Sequence, residues 1–326
     1  MKNRINCRSE KVGDDIYLVD TEYLDREKFA ASYFIESNGE LAIIETNTNN
    51  AVPRIISAVE NEGFSLGQVK YVILTHIHLD HAGGAGLLMK KLPSAKLVVH
   101  PRGARHMTSP EKLIDSVKQV YGEEEYKRLY GNILPVHEKR LIQAEDGAVI
   151  KVGNRELLLK ESPGHAKHHI VIFDEFSGSL FSGDAFGIGY PLFRYKNGML
   201  AFPSTSPVQF DPDRAIETFK MIMNLKPEKI MLTHFGVIEN IDEVNEHLTD
   251  WIDFAVNTSK DMINKDLKGD ELNKALLEYT WAFFNKKIID IRGTQLTGEE
   301  KDFLFLDADL NSKGLAFYIE QKRSLK

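Results

Sequence analysis

Three histidines and one aspartate lie within six residues of the chain, as His76, His78, Asp80 and His81. This is a marked concentration, because the chain has only 11 histidines among 326 residues. Imidazole and carboxylate groups are ligands of Zn²⁺, Fe²⁺ and Mn²⁺. Alternate residues of an extended segment point the same way, so His76 and His78 can reach one ion. Asp80 and His81 follow where the chain turns, and they can face a second ion.

Two ions need more ligands than this stretch supplies, and three later segments offer them. His165 lies in SPGHAKHH, Asp184 in LFSGDAFG and His234 in MLTHFG. Each of the three residues follows a predicted strand. Ligands that emerge from the ends of several strands at one edge of a sheet can share a site. The ligand types alone do not choose between zinc, iron and manganese.

The elements that must position these residues are short apolar strands alternating with amphipathic helices. Strands are predicted at 16–19, 32–35, 41–45, 69–75, 95–100, 148–152, 155–160, 169–174, 179–182 and 229–234. Helices are predicted at 51–62, 85–92, 110–130 and 212–225, the last with Asp211 as its N-cap. Two strand-then-helix halves suggest a sandwich of two sheets covered by helices on both sides.

The alternation of apolar strands with helices stops at about residue 240, which suggests that the chain has two parts. Residues 1–240 are predicted to form the sandwich domain, and residues 241–326 a mostly helical C-terminal extension that packs on it. Within the extension, the stretch FLFLDADLNSKGLAFYIEQKRS is predicted to hold one more strand and a last helix.

The composition indicates which classes of partner and which cellular location to expect. The net charge of −7 provides no global basic field for nucleic acid. No apolar run reaches membrane-spanning length, and the N-terminus lacks the apolar core of a signal peptide. Cys7, the only cysteine, cannot form an internal disulfide and is predicted to be exposed. We therefore expect a cytoplasmic enzyme with a small-molecule substrate and without nucleic-acid or membrane partners; a homodimer is left open.

The ordered motifs His-x-His-x-Asp-His, Gly-His, Gly-Asp and Thr-His resemble those of the metallo-β-lactamase-fold hydrolases, over roughly residues 12–240. The resemblance implies an α/β fold, the αββα sandwich, and a dinuclear metal site. It would place one ion on His76, His78 and His165 and the other on Asp80, His81 and His234, with Asp184 bridging the two.

Such a site implies hydrolysis. Two neighbouring cations can hold a bridging hydroxide at neutral pH, and this attacks an electrophilic carbonyl or phosphoryl centre. Asp80 could act as the catalytic residue that orients the nucleophile. Asp184 resembles the bridging aspartate of glyoxalase-II-type thioesterases and lactonases, which true β-lactamases lack. We expect two divalent ions, with Zn²⁺ as the first choice of metal and Fe or Mn as alternatives. The expected substrate is an ester, thioester or lactone.

Other functions within the same resemblance remain open. A phosphodiesterase would use the same ligands. Oxygen-binding diiron proteins share the fold but typically have Glu where this chain has His78, and no FMN-binding domain follows. Persulfide dioxygenases keep the His-x-His-x-Asp-His motif with a single iron. A binding module that has lost activity is a further alternative.

Two histidines next to His165 are candidates for a supporting role. His169 takes the second histidine position of the family's Gly-His-x-x-Gly-His pattern, and His168 replaces a glycine. His169 could support a metal ligand by hydrogen bonding at the start of a strand. His168 could instead face the cleft and contact the substrate.

The segment 186–207 is long, aromatic and punctuated by glycine and proline, and it is predicted to be a loop. Because it begins two residues after Asp184, its aromatic side chains could line the substrate pocket. The alternative is that they only pack against the C-terminal helices. The candidates are Tyr190, Phe193, Tyr195 and Phe202.

Overall fold

The computed structural model describes residues 6–205, 207–265 and 267–324, which form two compact units. The first unit contains the described residues of 1–161 together with His168–Gly183 and Lys226–Val237. The second contains Ser162–Lys167, Asp184–Leu225 and the described residues of 238–326. The domain boundary predicted at residue 240 stays a prediction.

Strands and helices alternate along the first two thirds of the chain, and helices alone follow. The strands are β1 (Glu10–Gly13), β2 (Ile16–Asp20), β3 (Ala31–Ser37), β4 (Glu40–Ile44), β5 (Val69–Ile73), β6 (Lys96–Val99), β7 (Leu141–Gln143), β8 (Val149–Val152), β9 (Arg155–Glu161), β10 (Ile170–Asp174), β11 (Ser179–Gly183), β12 (Ile188–Tyr195), β13 (Gly198–Phe202), β14 (Lys229–Leu232) and β15 (Gly236–Ile238). The helices are α1 (Val52–Asn61), α2 (Leu79–Ala82), α3 (Ala85–Lys91), α4 (Pro101–Thr108), α5 (Glu111–Tyr121), α6 (Glu123–Tyr130), α7 (Pro212–Leu225), α8 (Ile241–Ile263), α9 (Gly269–Arg292) and α10 (Gly298–Ser324).

A seven-stranded sheet in the order β1 to β7 forms one layer of the first unit. Its strands pair antiparallel up to β4 and parallel from β4 to β7. One face buries Phe34, Ile43 and Val72 in a core shared with Ile55 of α1 and Leu88 of α3. Removal of this apolar surface from water is what holds the helices on the sheet.

The second sheet has the order β15-β14-β11-β10-β9-β8 and faces the first. The hydroxyl of Tyr33 on β3 donates to the backbone oxygen of Leu232 on β14 at 2.6 Å. The rings of Tyr33 and Phe181 on β11 meet edge to face, with centroids 5.3 Å apart. The backbone N–H of Ile170 donates to the carbonyl of Thr75 at 2.8 Å, which joins the start of β10 to the residues that follow β5.

The second unit combines the β12–β13 hairpin with the helices α7 to α10. Asp211 caps α7 as predicted, because its carboxylate accepts from the backbone N–H of Arg214 at 3.1 Å. Trp251 on α8 is fully buried, and its ring lies against those of Phe283 and Phe284 on α9. Aromatic packing of this kind ties the long helices together. No described helix of the chain is long and apolar enough to cross a membrane.

Every strand and helix predicted up to residue 234 is present, with ends shifted by a few residues, but one helix is divided. The segment predicted as a single helix at 110–130 breaks at Gly122, which has a φ of +82°. Glycine adopts this conformation readily and ends one helix before the next begins. The structure thus has α5 and α6 where the sequence predicted one element.

Three other predictions were wrong. The tail contains no strand among its described residues, because α10 runs without a break and buries Leu304, Ala308 and Leu315 at helical spacing. Segment 186–207 is not a loop but contains the β12–β13 hairpin; its Ser206 lies outside the described residues. Cys7 is buried rather than exposed, since it joins the core of the first unit.

Candidate metal centre

Two loops of the first unit carry five of the predicted ligands. After β5 ends at Ile73, an extended stretch leads to the four-residue helix α2, and His76, His78, Asp80 and His81 lie on this connection. His234 follows β14, in the second sheet. These five residues therefore follow strand ends, as the sequence predicted, and their role as metal ligands stays a prediction.

Asp80, His81 and His234 form a cluster whose ligand atoms all lie within 4.8 Å of one another. Oδ2 of Asp80 is 3.3 Å from Nε2 of His234 and 3.7 Å from Nε2 of His81. Two ligands bound tetrahedrally to one Zn²⁺ at about 2.0–2.1 Å lie about 3.3 Å apart. The donor types and their spacing therefore fit a single divalent cation.

A buried carboxylate fixes the orientation of His81. Oε2 of Glu45 lies 2.5 Å from Nδ1 of His81, and Oε1 of the same side chain accepts from the backbone N–H of Thr75 at 2.6 Å. Both Glu45 and His81 are inaccessible to solvent. A hydrogen bond at Nδ1 assigns the proton to that atom and presents the lone pair of Nε2 to the cluster, as metal-binding histidines require.

His76 and His78 form a second pair of donors beside this cluster. Nε2 of His76 lies 2.9 Å from Nδ1 of His78, and Nδ1 of His76 hydrogen-bonds Oγ1 of Thr75 at 3.1 Å. The hydroxyl of Thr75 thus orients the ring of His76 from behind. Two imidazole nitrogens this close, one of them on a buried residue, are suited to binding one cation.

His169 and His168 lie next to this pair. The ring of His169 stacks on that of His76, with centroids 4.8 Å apart. The ring of His168 lies 5.5 Å from that of His78, edge to face. His169 is thus placed to support His76, whereas the predicted contact of His168 with substrate stays a prediction.

Glycines allow backbone to approach the ligand loop closely. Gly84 donates to the backbone oxygen of Asn47 at 2.7 Å, and a Cβ added to Gly84 would lie 2.8 Å from the backbone oxygens of Thr46 and Thr48. Side chains at this position would push the β4 connection away. The side chain of Asn47 in turn donates to the carbonyl of Asp80 at 2.8 Å, which holds α2 in place.

The remaining two predicted ligands are neighbours within the second unit. Nε2 of His165 lies 3.5 Å from Oδ2 of Asp184. Ser204 holds both, since its hydroxyl donates to Oδ2 of Asp184 at 3.0 Å and its backbone oxygen accepts from Nδ1 of His165 at 2.9 Å. The bond at Nδ1 leaves Nε2 of His165 as the atom that can bind a metal.

Of the aromatic residues predicted to line the substrate pocket, Tyr190, Phe193 and Phe202 are buried in the second unit and Tyr195 is half-buried. Tyr190 donates to Oδ2 of Asp307 at 3.1 Å, and its ring meets that of Phe303 on α10, as does the ring of Phe193. The rings of Phe202 and Phe284 have centroids 5.0 Å apart, and Tyr195 hydrogen-bonds Glu243. These contacts favour packing against the C-terminal helices, the second role left open by the sequence.

The sequence did not identify Glu45, Thr75 or Ser204 as parts of the site. Glu45 had a detectable signal, because an acidic residue that directly follows a buried strand is unusual unless it is paired. Thr75 is the residue before the histidine motif, and Ser204 has no distinguishing sequence context. The assignment of all seven ligands to one dinuclear centre stays a prediction.

Comparison with known proteins identifies relatives of this chain. The metallo-beta-lactamase superfamily model matches residues 25–234. ST1585, a metallo-beta-lactamase fold-containing protein from Sulfurisphaera tokodaii, is 30% identical over 209 residues, which span 63% of this chain and 73% of that protein. The crystal structure of ST1585 superposes with a TM-score of 0.64 at 22% identity, and the match covers 93% of this chain and 98% of that one.

Two further relatives carry names of enzymes. A hydroxyacylglutathione hydrolase from Rhodopseudomonas palustris strain BisB5 is 28% identical over 159 residues, 48% of each protein. The acyl-coenzyme A thioesterase MBLAC2 from Gallus gallus is 30% identical over 113 residues, 34% of this chain and 40% of that protein. The superposition confirms the predicted fold, an αββα sandwich with a helical C-terminal extension, and the chain belongs to the metallo-beta-lactamase superfamily.

Proposed function

We propose that the protein is a metal-dependent hydrolase that cleaves an ester, thioester or lactone with two divalent metal ions. The observation that carries the proposal is the Asp80, His81 and His234 cluster, with Glu45 buried behind His81. A purely structural ion pair would not need two imidazoles aimed at one carboxylate. Similarity to a hydroxyacylglutathione hydrolase and an acyl-coenzyme A thioesterase supports the thioester class.

All seven predicted ligands take part in the proposed centre. One ion would be held by His76, His78 and His165 and the other by Asp80, His81 and His234, with Asp184 as a ligand of both. Two divalent ions, Zn²⁺ in the first instance, supply an acidified water and a polarised carbonyl oxygen when bound. The proposed substrate is a small molecule, and the proposed setting is the cytoplasm.

The chain's own groups then position the reaction. Asp80 keeps about a quarter of its side chain exposed (26%), whereas His81 is inaccessible, so Asp80 lies on the open side of the cluster. Its carboxylate accepts a hydrogen bond from the attacking water and aims the lone pair of that water at the carbonyl carbon. Glu45 holds His81 against rotation, and Ser204 does the same for Asp184 and His165.

The test begins with metal analysis of protein purified without added metal or chelator. We expect two equivalents of metal per chain. Acyl thioesters, aryl esters, lactones and phosphodiesters are then assayed under anaerobic conditions without a reductant. Release of acid from an ester, thioester or lactone, lost in Asp80→Ala but not in the exposed-site control Glu27→Ala, is the expected result.

Other outcomes identify the competing functions. Hydrolysis confined to phosphodiesters would favour the phosphodiesterase alternative. One iron per chain, with oxygen consumption on addition of a persulfide and no hydrolysis, would overturn the proposal in favour of redox chemistry. Full metal loading without any turnover would point to a binding module.

A further inference from the structure

We propose that a small pocket in the second unit binds the acyl group of the substrate and restricts it to short, uncharged chains. The inference rests on the proposed hydrolase function and names its substrate class. The pocket lies entirely within the second unit and is formed by the 162–167 turn, the residues after Asp184, the segment after β13, and helices α7 and α8.

The lining includes the two candidate ligands of this unit, His165 and Asp184, together with Ser204, which hydrogen-bonds both. A carbonyl carbon that reacts beside these residues can place its substituent in the pocket. The apolar part of the lining consists of Phe210, Ala215, Phe219, Leu248, Trp251 and Ile252. The pocket thus adjoins the two candidate ligands of the second unit and offers an apolar surface beside them.

The lining excludes a charged group. Among the described residues that line the pocket there is no lysine or arginine, so the phosphates of a nucleotide-type carrier or a peptide carboxylate have no cationic partner there. Burying an unpaired charge against Trp251 and Leu248 would be strongly unfavourable. An aliphatic group gains about 0.8 kcal/mol for each buried methylene. The pocket is therefore suited to the alkyl part of an acyl chain.

The size of the pocket limits the length of that chain. The space inside it that is open to a water-sized molecule is about 20 Å³. One water needs at least about 10–15 Å³ on this measure, so the pocket accepts a group of roughly one or two heavy atoms. An acetyl or propionyl group fits, and a long fatty acyl chain does not. The substrate is then an ester or thioester of a short-chain acid.

The first experiment measures kcat/KM for acyl thioesters that share one thiol, from acetyl to octanoyl. Leu248→Ala enlarges the pocket and should raise the octanoyl-to-acetyl ratio of kcat/KM by about tenfold or more. Ala215→Val fills it and should lower the propionyl-to-acetyl ratio by about tenfold. Ala282→Val, at an exposed position of α9, should change neither ratio.

Leu248→Ala should raise its ratio of kcat/KM and Ala215→Val should lower its ratio. General destabilisation would instead lower kcat/KM for all substrates together, so the two effects can be told apart. Thermal unfolding of each variant checks folding, and Ile252→Val, which removes one methylene, replaces Leu248→Ala if that variant does not fold. Hydrolysis with the same chain-length profile in all variants would overturn the pocket assignment and leave the proposed function standing.

A binding measurement tests the pocket without relying on catalysis. Trp251 lines the pocket, and the chain has one other tryptophan, Trp281, so Trp281→Phe leaves Trp251 as the only indole. Propionamide, an uncharged probe, should change its emission saturably, with the apparent Kd raised about tenfold by Ala215→Val and unchanged by Ala282→Val. Binding with this pattern but no hydrolysis of any ester would overturn the proposed function alone. Absence of a saturable change in Trp251 emission would overturn the assignment of the pocket as the acyl-binding site.

Discussion

Oε2 of Glu45 lies 2.5 Å from Nδ1 of His81, and both side chains are inaccessible to solvent. Glu45 is not itself a member of the ligand groups. It acts on a metal through His81, by fixing the proton and the orientation of the imidazole. Because it also accepts from the backbone of Thr75, the same carboxylate orders the start of the ligand loop.

Glu45→Gln should therefore weaken metal binding without removing a ligand. Loss of the charged acceptor makes Nε2 of His81 a poorer donor to the metal, and we expect affinity for the more weakly held ion to fall by about 10- to 100-fold. Competition with a chromophoric chelator measures this. Glu27→Gln, at an exposed position of the same unit, is the control. Equal affinities in the two variants would contradict the supporting role of Glu45.

Asp184→Ala should lower the metal content from two ions per chain to one or fewer. The proposed bridge neutralises two cations at once, and its loss leaves less charge to hold them together. Metal analysis after gel filtration gives the content, and Asp213→Ala, at an exposed position on α7, serves as the control. Retention of both ions and full activity by Asp184→Ala would exclude a bridging role.

Gly183→Ala should lower the unfolding free energy more than Gly63→Ala, a glycine substitution at an open position. Gly183 has a φ of +52°, and an added Cβ would lie 2.5 Å from Oγ1 of Thr75 and 2.6 Å from Nε2 of His169. Gly63 also has a positive φ, +86°, but open space around its Cβ position. We expect Gly63→Ala to cost about 1 kcal/mol of unfolding free energy, and Gly183→Ala to exceed it by about 1–3 kcal/mol. Denaturant titration of metal-loaded protein compares them.

Tyr190→Ala should act mainly on stability. Tyr190 is 1% exposed and bonds Asp307, so its loss opens a cavity and leaves a buried carboxylate with fewer partners. We expect a loss of about 3–5 kcal/mol in unfolding free energy, against less than about 0.5 kcal/mol for the exposed Tyr279→Ala. Unequal changes of kcat/KM across substrates, with stability retained, would instead support the role of Tyr190 in the substrate pocket.

His247 on α8 should make stability depend on pH. Burial lowers the pKa of His247, and the positive charge of Lys287 lowers it further. The folded state then binds fewer protons than the unfolded state near pH 6, where an unperturbed histidine titrates at about 6.5. The contribution of His247 to the unfolding free energy of the wild type should be constant above about pH 7. It should fall as the pH drops below about 6.5.

His247→Gln removes this dependence, because glutamine does not titrate. Melting temperatures of wild type and variant between about pH 8 and pH 5.5 should therefore converge, or cross, as the pH falls. Protein prepared identically and with metal in excess is used throughout, so that ligand protonation affects both equally. A difference between the two proteins that stays constant over the whole range would exclude His247 as the source.

Much of the first unit, and helix α7 of the second, could be predicted from the sequence, because these elements have strong local signals. The buried strand at Val69–Ile73 is almost uninterruptedly apolar, and the histidine motif directly follows it. Helix α7 has both a periodic apolar face and the capping residue Asp211. Local pattern and final structure agree at these places, since burial and backbone preference favour the same conformation.

The failures have a common physical origin in contacts distant along the chain. Glu45 and His81 are 36 residues apart, and although the place of Glu45 after a buried strand suggests that it is paired, nothing local identifies His81 as its partner. The β12–β13 hairpin contains Pro191, Gly189 and Gly198, which resemble loop signals, yet the ring of Phe193 on β12 packs against that of Phe303 on α10. The continuous apolar run at residues 303–306 resembled a strand, but the longer helical repeat of α10 determines the structure.

The burial of Cys7 makes the first unit a reporter of its own opening. Cys7 is the only cysteine, its thiol is covered by the core, and its backbone N–H donates to the hydroxyl of Ser57 on α1. Burial also raises the pKa of this thiol, so that less of the reactive thiolate is present at neutral pH. A thiol reagent can therefore modify the chain only during moments when the N-terminal segment separates from α1. The rate of alkylation would measure how often that happens in the folded protein, without a mutation or a prior label.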